Sequence, residues 1–506
     1  MTGMNVVMFI TDQDRAIQHF PPDWAERNLP GLRRLQRQGV TFTHAFTNSC
    51  MCSPARATLM TGFFPAQHGV RYTLEESMDN PARYDQVELP TGFANLATGA
   101  AAAGYTPVYQ GKWHLSKHLP GGGWEPVDVE KYGFRRWNPP DAGANQDIPE
   151  AGGGDPDNDG RFMNSRAGTS GNYEGVLEYL QSAAAEQQPF FLVMSLVNPH
   201  DVLFYPNTYV EAGYEDAWLK GDIEPPETAG EDLSTKPVVQ REFLALFNQT
   251  GALDTPEMQR NYLNFYGNLM KASDRYLVDV LDMLDRTGLR DRTVVIRTAD
   301  HGEMGLAHGG LRQKNFNAYE ESLRVPLVFS CPALYDGELQ SDALVSHVDF
   351  LPTVATLLGA PGEARAAWQG VDYSAAVLHP AQAAPVQTYT VFTWDDWQAG
   401  QANPPYLPPP NHIVSVREAH WKLSRYYDVN GVVPDQWEMY DLQADPLETT
   451  NLCWPGYTRT DHEETAYQRL LALLDEVQQT RLQPLPDTPV ITSAETSRVE
   501  NPASGD

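Results

Sequence analysis

The chain has 506 residues, 41% of them hydrophobic and 20% charged. That is the make-up of a globular protein, and the length predicts two to four domains or one large α/β domain with an appendage. Its 36 Lys+Arg against 66 Asp+Glu give a formal net charge of −30, a surface that repels nucleic acid and anionic membranes.

The N-terminal "MTGMNVVMFITDQDR" lacks a basic leader region, so residues 5–10 read as a strand rather than a signal peptide, and a cytoplasmic protein is expected. No apolar run approaches the roughly 20 residues that span a bilayer. The first strand runs into Thr11, Asp12, Gln13 and Asp14. In "NSCMCSPARATLMTG" (48–62) two cysteines stand two apart before a helical stretch. The four cysteines, Cys50, Cys52, Cys331 and Cys453, form neither a disulfide framework nor a zinc knuckle. "TPVY" (106–109) runs into Gly111, Lys112, Trp113 and His114. Residues 119–170, rich in glycine, proline and aspartate, read as an excursion near a site mouth. There Asp155, Asp157, Asp159 and Gly160 imitate the start of a calcium loop, but the twelfth position is Arg166, so a solvated acidic loop is expected.

"PFFLVMSLV" (189–197) runs into Asn198, Pro199, His200 and Asp201, and "RTVVIRT" (292–298) into Ala299, Asp300, His301 and Gly302. "VPLVFSC" (325–331) follows. Continuous apolar strands separated by helical stretches predict an α/β protein with a mostly parallel sheet covered on both faces. Alternating strands and turns over 386–455, then a helix over "TAYQRLLALLDEVQQTR", predict a small antiparallel domain. The division is 1–385, 386–480 and a polar tail, 481–506, either disordered or lying along a neighbouring subunit. Ligands of open α/β sheets bind beyond the carboxyl ends of the strands. Four strands far apart in the chain therefore deliver Asp12, Asp300, Lys112, His114, His200 and His301 to one edge, which predicts a shared site.

"CSPARATLMTG" carries Cys52-x-Pro54-x-Arg56, followed by Leu59 and Thr61-Gly62. It resembles the signature of the sulfatase family in the alkaline phosphatase superfamily. "GKWHL" (111–115), "NPHD" (198–201), "ADHGEMG" (299–305), "QKNFNAYEESLRVPL" (313–327), "HVDFLPTVATLLG" (347–359) and "MYDLQADPLETTNL" (439–452) fall in the family's order. The resemblance implies an alkaline phosphatase-like fold: a large mixed, mostly parallel sheet sandwiched by helices, with a smaller C-terminal antiparallel-sheet domain. It implies hydrolysis of a small-molecule sulfate ester to alcohol and sulfate. It also implies that a separate formylglycine-generating enzyme oxidises Cys52 to formylglycine (3-oxoalanine). Cys50 lies outside the pattern and is expected to be a small buried side chain.

A sulfate monoester is anionic, and an attacking nucleophile is repelled unless cations mask the charge. The resemblance implies one divalent metal, Ca2+ or Mn2+, held by Asp12, Gln13, Asp300, His301 and the hydrated residue 52. Asp12-Gln13 and Asp300-His301, where relatives often have Asp-Asp and Asp-Asn, are similar to the branch with choline sulfatases and phosphonate monoester hydrolases. One hydroxyl of the hydrated aldehyde attacks sulfur, and the second loses its proton as sulfate leaves. Arg56, one helical turn from Cys52, orients that diol. Lys112 and Lys314 bind sulfate oxygens, His114 serves as base or positioning group, and His200 contacts the substrate as general acid. Lys112 and His114, two apart on an extended segment, are expected to point the same way.

His68 and His308 read as polar turn residues, Asp14 as a support or cap, and Trp394, Asp395 and Asp396 as shaping the pocket. The alternatives are a phosphonate monoester hydrolase or phosphodiesterase on the same site, since both transfers demand similar charge stabilisation, or a choline sulfatase. A non-catalytic binding protein is disfavoured, because Cys52, Arg56 and the metal acids are all present. A homo-oligomer, dimer or tetramer, is expected.

Overall fold

The computed structural model describes residues 1–16, 19–74, 87–118, 122–143, 148–168, 171–184, 188–360, 368–397 and 407–485. Parts of the predicted 119–170 excursion and most of the predicted tail (486–506) lie outside the described residues.

The main sheet has seven strands: β1 (Asn5–Asp12), β2 (Gly39–Phe42), β3 (Thr106–Gly111), β4 (Phe190–Pro199), β5 (Thr293–Ala299), β6 (Leu327–Ser330) and β7 (Glu338–Ser341), in the order β7-β2-β6-β5-β1-β4-β3. β1 pairs in parallel with β4 and β5, β3 with β4, and β7 with β2, while β6 runs antiparallel to β2 and β5. The sheet is therefore mixed and mostly parallel. Every residue of β1 is buried, as a continuous apolar strand must be when both faces are covered. Val6, Met8 and Ile10 enter a core with Phe350, Leu351 and Val354. Val7 and Phe9 enter the opposite core, with Leu277, Val280 and Leu284 of the long helix Pro256–Arg286.

Because β1, β3, β4 and β5 run parallel, their carboxyl ends share one edge. Near it a buried helix, α1 (Cys52–Thr61), starts at the cysteine and stops at Gly62, whose left-handed φ of 71° suits glycine. Gly111 is similarly required: at φ 108° a Cβ would collide with the Ser195 carbonyl. The close approach lets the Lys112 amide donate to Ser195 O (2.9 Å).

The second sheet is antiparallel, β8 (Tyr389–Trp394), β9 (His412–Glu418), β10 (Trp421–Tyr427) and β11 (Gln436–Asp441) in sequence order. Helix α2 (Asp461–Thr480) lays Ala466, Leu470, Leu474 and Val477 on it. The helix starts ahead of the predicted 465 because Thr460 and Glu463 form a capping box. The small sheet is stitched to the large unit close to Cys52: Thr393 N donates to Asn48 O (2.9 Å) and Asn48 Nδ2 to Val391 O (2.6 Å). Among the described residues no helix is long and apolar enough to cross a membrane.

Two local expectations, those for Asp159 and His114, are corrected. Asp159 is not a solvated loop acid: it is buried and accepts from the amides of Val197 (2.6 Å) and Asn198 (3.0 Å), which ties the excursion to the end of β4. His68 and His308 stand at turns next to glycine, as expected, and are buried there. His68 Nε2 lies 3.1 Å from Thr58 Oγ1, while His308 stacks on Tyr319 with ring centroids 3.6 Å apart and holds Glu231 at 2.7 Å. His114 does not reach the site by strand alternation, because β3 ends at Gly111 and His114 has a left-handed φ of 57°.

Candidate active site

Four ligand atoms, from Asp12, Cys52, Asp300 and His301, lie within 4.8 Å of one another, all on buried residues. Three come from the adjacent ends of β1 and β5, and the fourth from the start of α1. The Cys52 thiol is 3.4 Å from His301 Nε2 and 3.8 Å from Asp12 Oδ1. His301 Nε2 stands 3.7 Å from carboxylate oxygens of both Asp12 and Asp300. Two carboxylates this close repel each other unless cations intervene.

Arg56 is the bridge between them. It is fully buried and donates Nε to Asp300 Oδ2 (3.0 Å), Nη2 to Asp12 Oδ2 (3.1 Å), and Nη1 to Ser195 Oγ (2.8 Å) and Lys112 O (3.0 Å). Its hydrogen bonds therefore go to the two carboxylates, to Ser195 of β4 and to the carbonyl just past β3, not to Cys52. Lys112 Nζ sits 2.5 Å from Asp12 Oδ2 and also donates to Gly143 O, within the excursion.

Burial and the Cys52 sulfur push Asp12 upward, but Lys112, His200 and Arg56 outweigh them and hold it well below the usual carboxylate range. Asp300 has weaker help: burial and Asp12 raise it to about 6. Burial alone would also raise the Cys52 thiol, yet Lys112, Lys314 and His301 bring it well below the ordinary range. This is a cationic enclosure within an acidic protein.

Gln13 and Lys314 form a second line behind the cluster. Lys314 Nζ donates to Gln13 Oε1 (2.6 Å), and Gln13 Nε2 donates to Glu303 Oε2 (2.5 Å). Glu303 is itself fixed by Tyr262 OH (2.6 Å) and by the Gly305 and Gln313 amides. Because Glu303 takes the amide's N–H, the Gln13 oxygen must turn to Lys314.

His200 stands beside the Cys52 sulfur, and burial, then Lys112, push it down to about 4, so it is neutral near pH 7. The His114 ring also interacts with that sulfur. Its Nε2 is 2.6 Å from the Leu74 carbonyl and its Nδ1 is buried without a hydrogen bond. A carbonyl can only accept, so Nε2 carries a proton.

The expected neighbours divide. Asp14 turns away to Arg297 (2.6 Å), and Cys50 donates to Ser322 O (3.2 Å), buried as expected. Trp394 packs on Phe316 with centroids 4.9 Å apart, Asp395 faces His412 (3.3 Å), and Asp396 accepts from the Thr73 amide (3.0 Å). Sequence reasoning missed Ser195, Asp141 and Glu303. Asp141 holds the amides of Trp113 (2.8 Å) and His114 (2.6 Å). Ser195 had a signal, as the one polar side chain inside "FFLVMSLV"; Asp141 had none.

Comparison with known proteins adds the following. The family model described as Sulfatase matches residues 6–360, and that described as N-sulphoglucosamine sulphohydrolase, C-terminal, matches 308–479. A choline-sulfatase of Rhizobium meliloti is 27% identical over 468 residues, covering 88% of this chain and 82% of its own. A solved 2-O GAG sulfatase superposes with a TM-score of 0.67 at 20% identity, covering 94% and 92%. The phosphonate monoester hydrolase of Agrobacterium radiobacter superposes with a TM-score of 0.63 at 20% identity, covering 94% and 95%.

Proposed function

This chain belongs to the sulfatase family and is a hydrolase of sulfate esters, and we propose that residue 52, converted to formylglycine, is its nucleophile within a divalent-metal site. The observation that carries this reading is the convergence of Asp12, Cys52, Asp300 and His301 within 4.8 Å, with Arg56 bridging the two carboxylates. Two carboxylates and an imidazole fit a divalent cation. Asp12, Asp300, His301 and residue 52 would hold it, either Ca2+ or Mn2+, the imidazole favouring manganese. Bound there, the ion would mask the charge of the sulfuryl group and favour an ionised oxygen at residue 52.

The other roles follow from the side chains in place. Lys112 and Lys314 are buried ammonium groups facing the sulfur position, suited to sulfate oxygens. If Lys314 swings to a sulfate, Gln13 Oε1 loses its partner and becomes free to join the ligand set. His114, whose Nε2 is committed to the Leu74 carbonyl, accepts a proton from residue 52 on Nδ1. His200, neutral before substrate binds, offers an N–H to the departing alcohol oxygen. Arg56 keeps the two acids at their spacing rather than touching substrate. We assign residues 1–385 to the catalytic unit and 386–480 to the smaller one. The second family match, over 308–479, spans that boundary, in keeping with the contacts from β8 to the segment before Cys52.

A second reading, phosphonate monoester hydrolase, draws on Asp12-Gln13 and Asp300-His301, while the Lys112 and His114 pair favours the sulfatase. Mass spectrometry of the residue 52 peptide and rates on p-nitrophenyl sulfate and p-nitrophenyl phenylphosphonate, from one preparation, test both. The sulfate is expected to turn over faster. A reversed ratio would make the phosphonate the preferred ester. Failure of converted, metal-loaded protein on both esters overturns the reading.

A further inference from the structure

The imidazole of His114 meets the Cys52 sulfur on one side and a main-chain group through Nε2. Its ring proton is set by a backbone carbonyl, Leu74 O, at 2.6 Å. A carbonyl can fix a tautomer only if its own peptide is held still. Two side chains hold the chain that leads into it, at the two amides that precede that carbonyl. Leu74 N donates to Ser53 Oγ (3.1 Å), on the residue after Cys52, and Thr73 N donates to Asp396 Oδ2 (3.0 Å). Asp396 is 1% exposed and lies just beyond the end of β8. The same strand is anchored to Asn48, ahead of Cys52, by the bonds at Thr393 and Val391.

We propose that Asp396 is a positioning residue for His114: from the smaller sheet it clamps the 73–74 backbone whose carbonyl fixes the imidazole beside residue 52. The proposal rests on the reading of residue 52 as the reacting position. The Asp141 carboxylate holds the His114 main chain itself, accepting from its amide at 2.6 Å. A carboxylate of the excursion and a carboxylate of the C-terminal unit thus both act on His114 through peptide groups. A carboxylate buried this deeply is costly unless it is hydrogen-bonded, and Asp396 spends an oxygen on a loop amide next to the reacting centre.

The test uses full-length protein and the variants Asp396→Ala, Asp396→Asn and Ser53→Ala. It reads kcat and KM on p-nitrophenyl sulfate, the thermal midpoint, and the ¹⁵N NMR signature of the His114 ring tautomer. Asp396→Ala should lower kcat about 10- to 100-fold, the usual cost of losing an outer partner, with KM nearly unchanged and the Nε2–H tautomer no longer dominant. Asp396→Asn keeps an oxygen that can accept from Thr73 N, and should restore most of the rate and the tautomer. Ser53→Ala removes the second hold and should give a milder version of the same signature, so the proposal stays testable should Asp396→Ala fold poorly. Wild-type kcat and tautomer in Asp396→Ala overturn the proposal. So does a variant that loses only thermal stability, or an Asp396→Asn as damaged as the alanine. If the wild type turns over no sulfate ester, the sulfatase reading fails, while the tautomer measurement still decides on Asp396.

Discussion

Replacing Lys112 with methionine tests the electrostatics of the site most directly. The substitution keeps an apolar stem of similar length and removes one ammonium, placed 2.5 Å from Asp12 Oδ2 in a fully buried pocket. Lys112 is the strongest of the groups that hold Asp12 ionised against burial and the Cys52 sulfur. Without it, Asp12 keeps Arg56, shared with Asp300, and the His301 imidazole at 3.7 Å. Asp12 must then keep a poorly compensated buried charge or take up a proton. Breaking a buried pair in this way costs about 3–5 kcal/mol. A divalent ion at the cluster would compensate Asp12 in its place.

Lys112→Met should therefore lose about 3–5 kcal/mol in chelator but much less with Mn2+ or Ca2+ present. Turnover should fall about 10²–10³-fold in either case, because a charge-stabilising group is missing from the transition state. Urea unfolding followed by tryptophan fluorescence, with and without metal, gives the first quantity, and p-nitrophenyl sulfate kinetics the second. A chelator-state loss below about 1 kcal/mol, the worth of an exposed pair, would refute the assigned pairing. Turnover equal to wild type would refute the sulfate-binding role.

Two further outcomes follow from the same geometry. Chelator should abolish turnover of p-nitrophenyl sulfate and added Mn2+ or Ca2+ should restore it, whereas Asp300→Asn should show weaker metal uptake by calorimetry and little recovery. His308 supplies a pH test away from the reacting atoms. Burial pulls its pKa down, but Glu231 and Glu321 lift it to about 9, from 6.5. A raised histidine stabilises fully below its unfolded value and loses that contribution as pH rises through its folded one. About 3 kcal/mol should therefore disappear between roughly pH 6.5 and 9, and His308→Gln should flatten that part of the pH–stability curve.

The strands that place the site were legible because each is a continuous apolar run ending in polar residues. Asp12, Lys112, His200 and Asp300 could be brought to one edge from pattern alone. β7 was not legible: three of its four residues are exposed or half-buried, so no periodicity marks it. Nor could pattern show how side chains would be spent. Arg56 was expected one helical turn from Cys52, facing it, but its hydrogen bonds go to two carboxylates that the sheet delivers from elsewhere. His114 was expected to follow strand alternation, which ends with Gly111. Asp159 read as one acid of a wet loop because nothing local records that two amides of β4 need an acceptor. In each case the deciding partner lies far along the chain, beyond the reach of any window.

Cys52 is 2% exposed. It is the first residue of the buried α1, at the first sheet's edge and close to the stitches to the second sheet, and no macromolecule the size of an oxidising enzyme could grip the peptide around it there. If that thiol is to become an aldehyde, the alteration must happen while the polypeptide is still open, on or soon after the ribosome. Chains that close too early would be trapped as thiols, well folded and inert, so the active fraction of any preparation would report a race between modification and collapse.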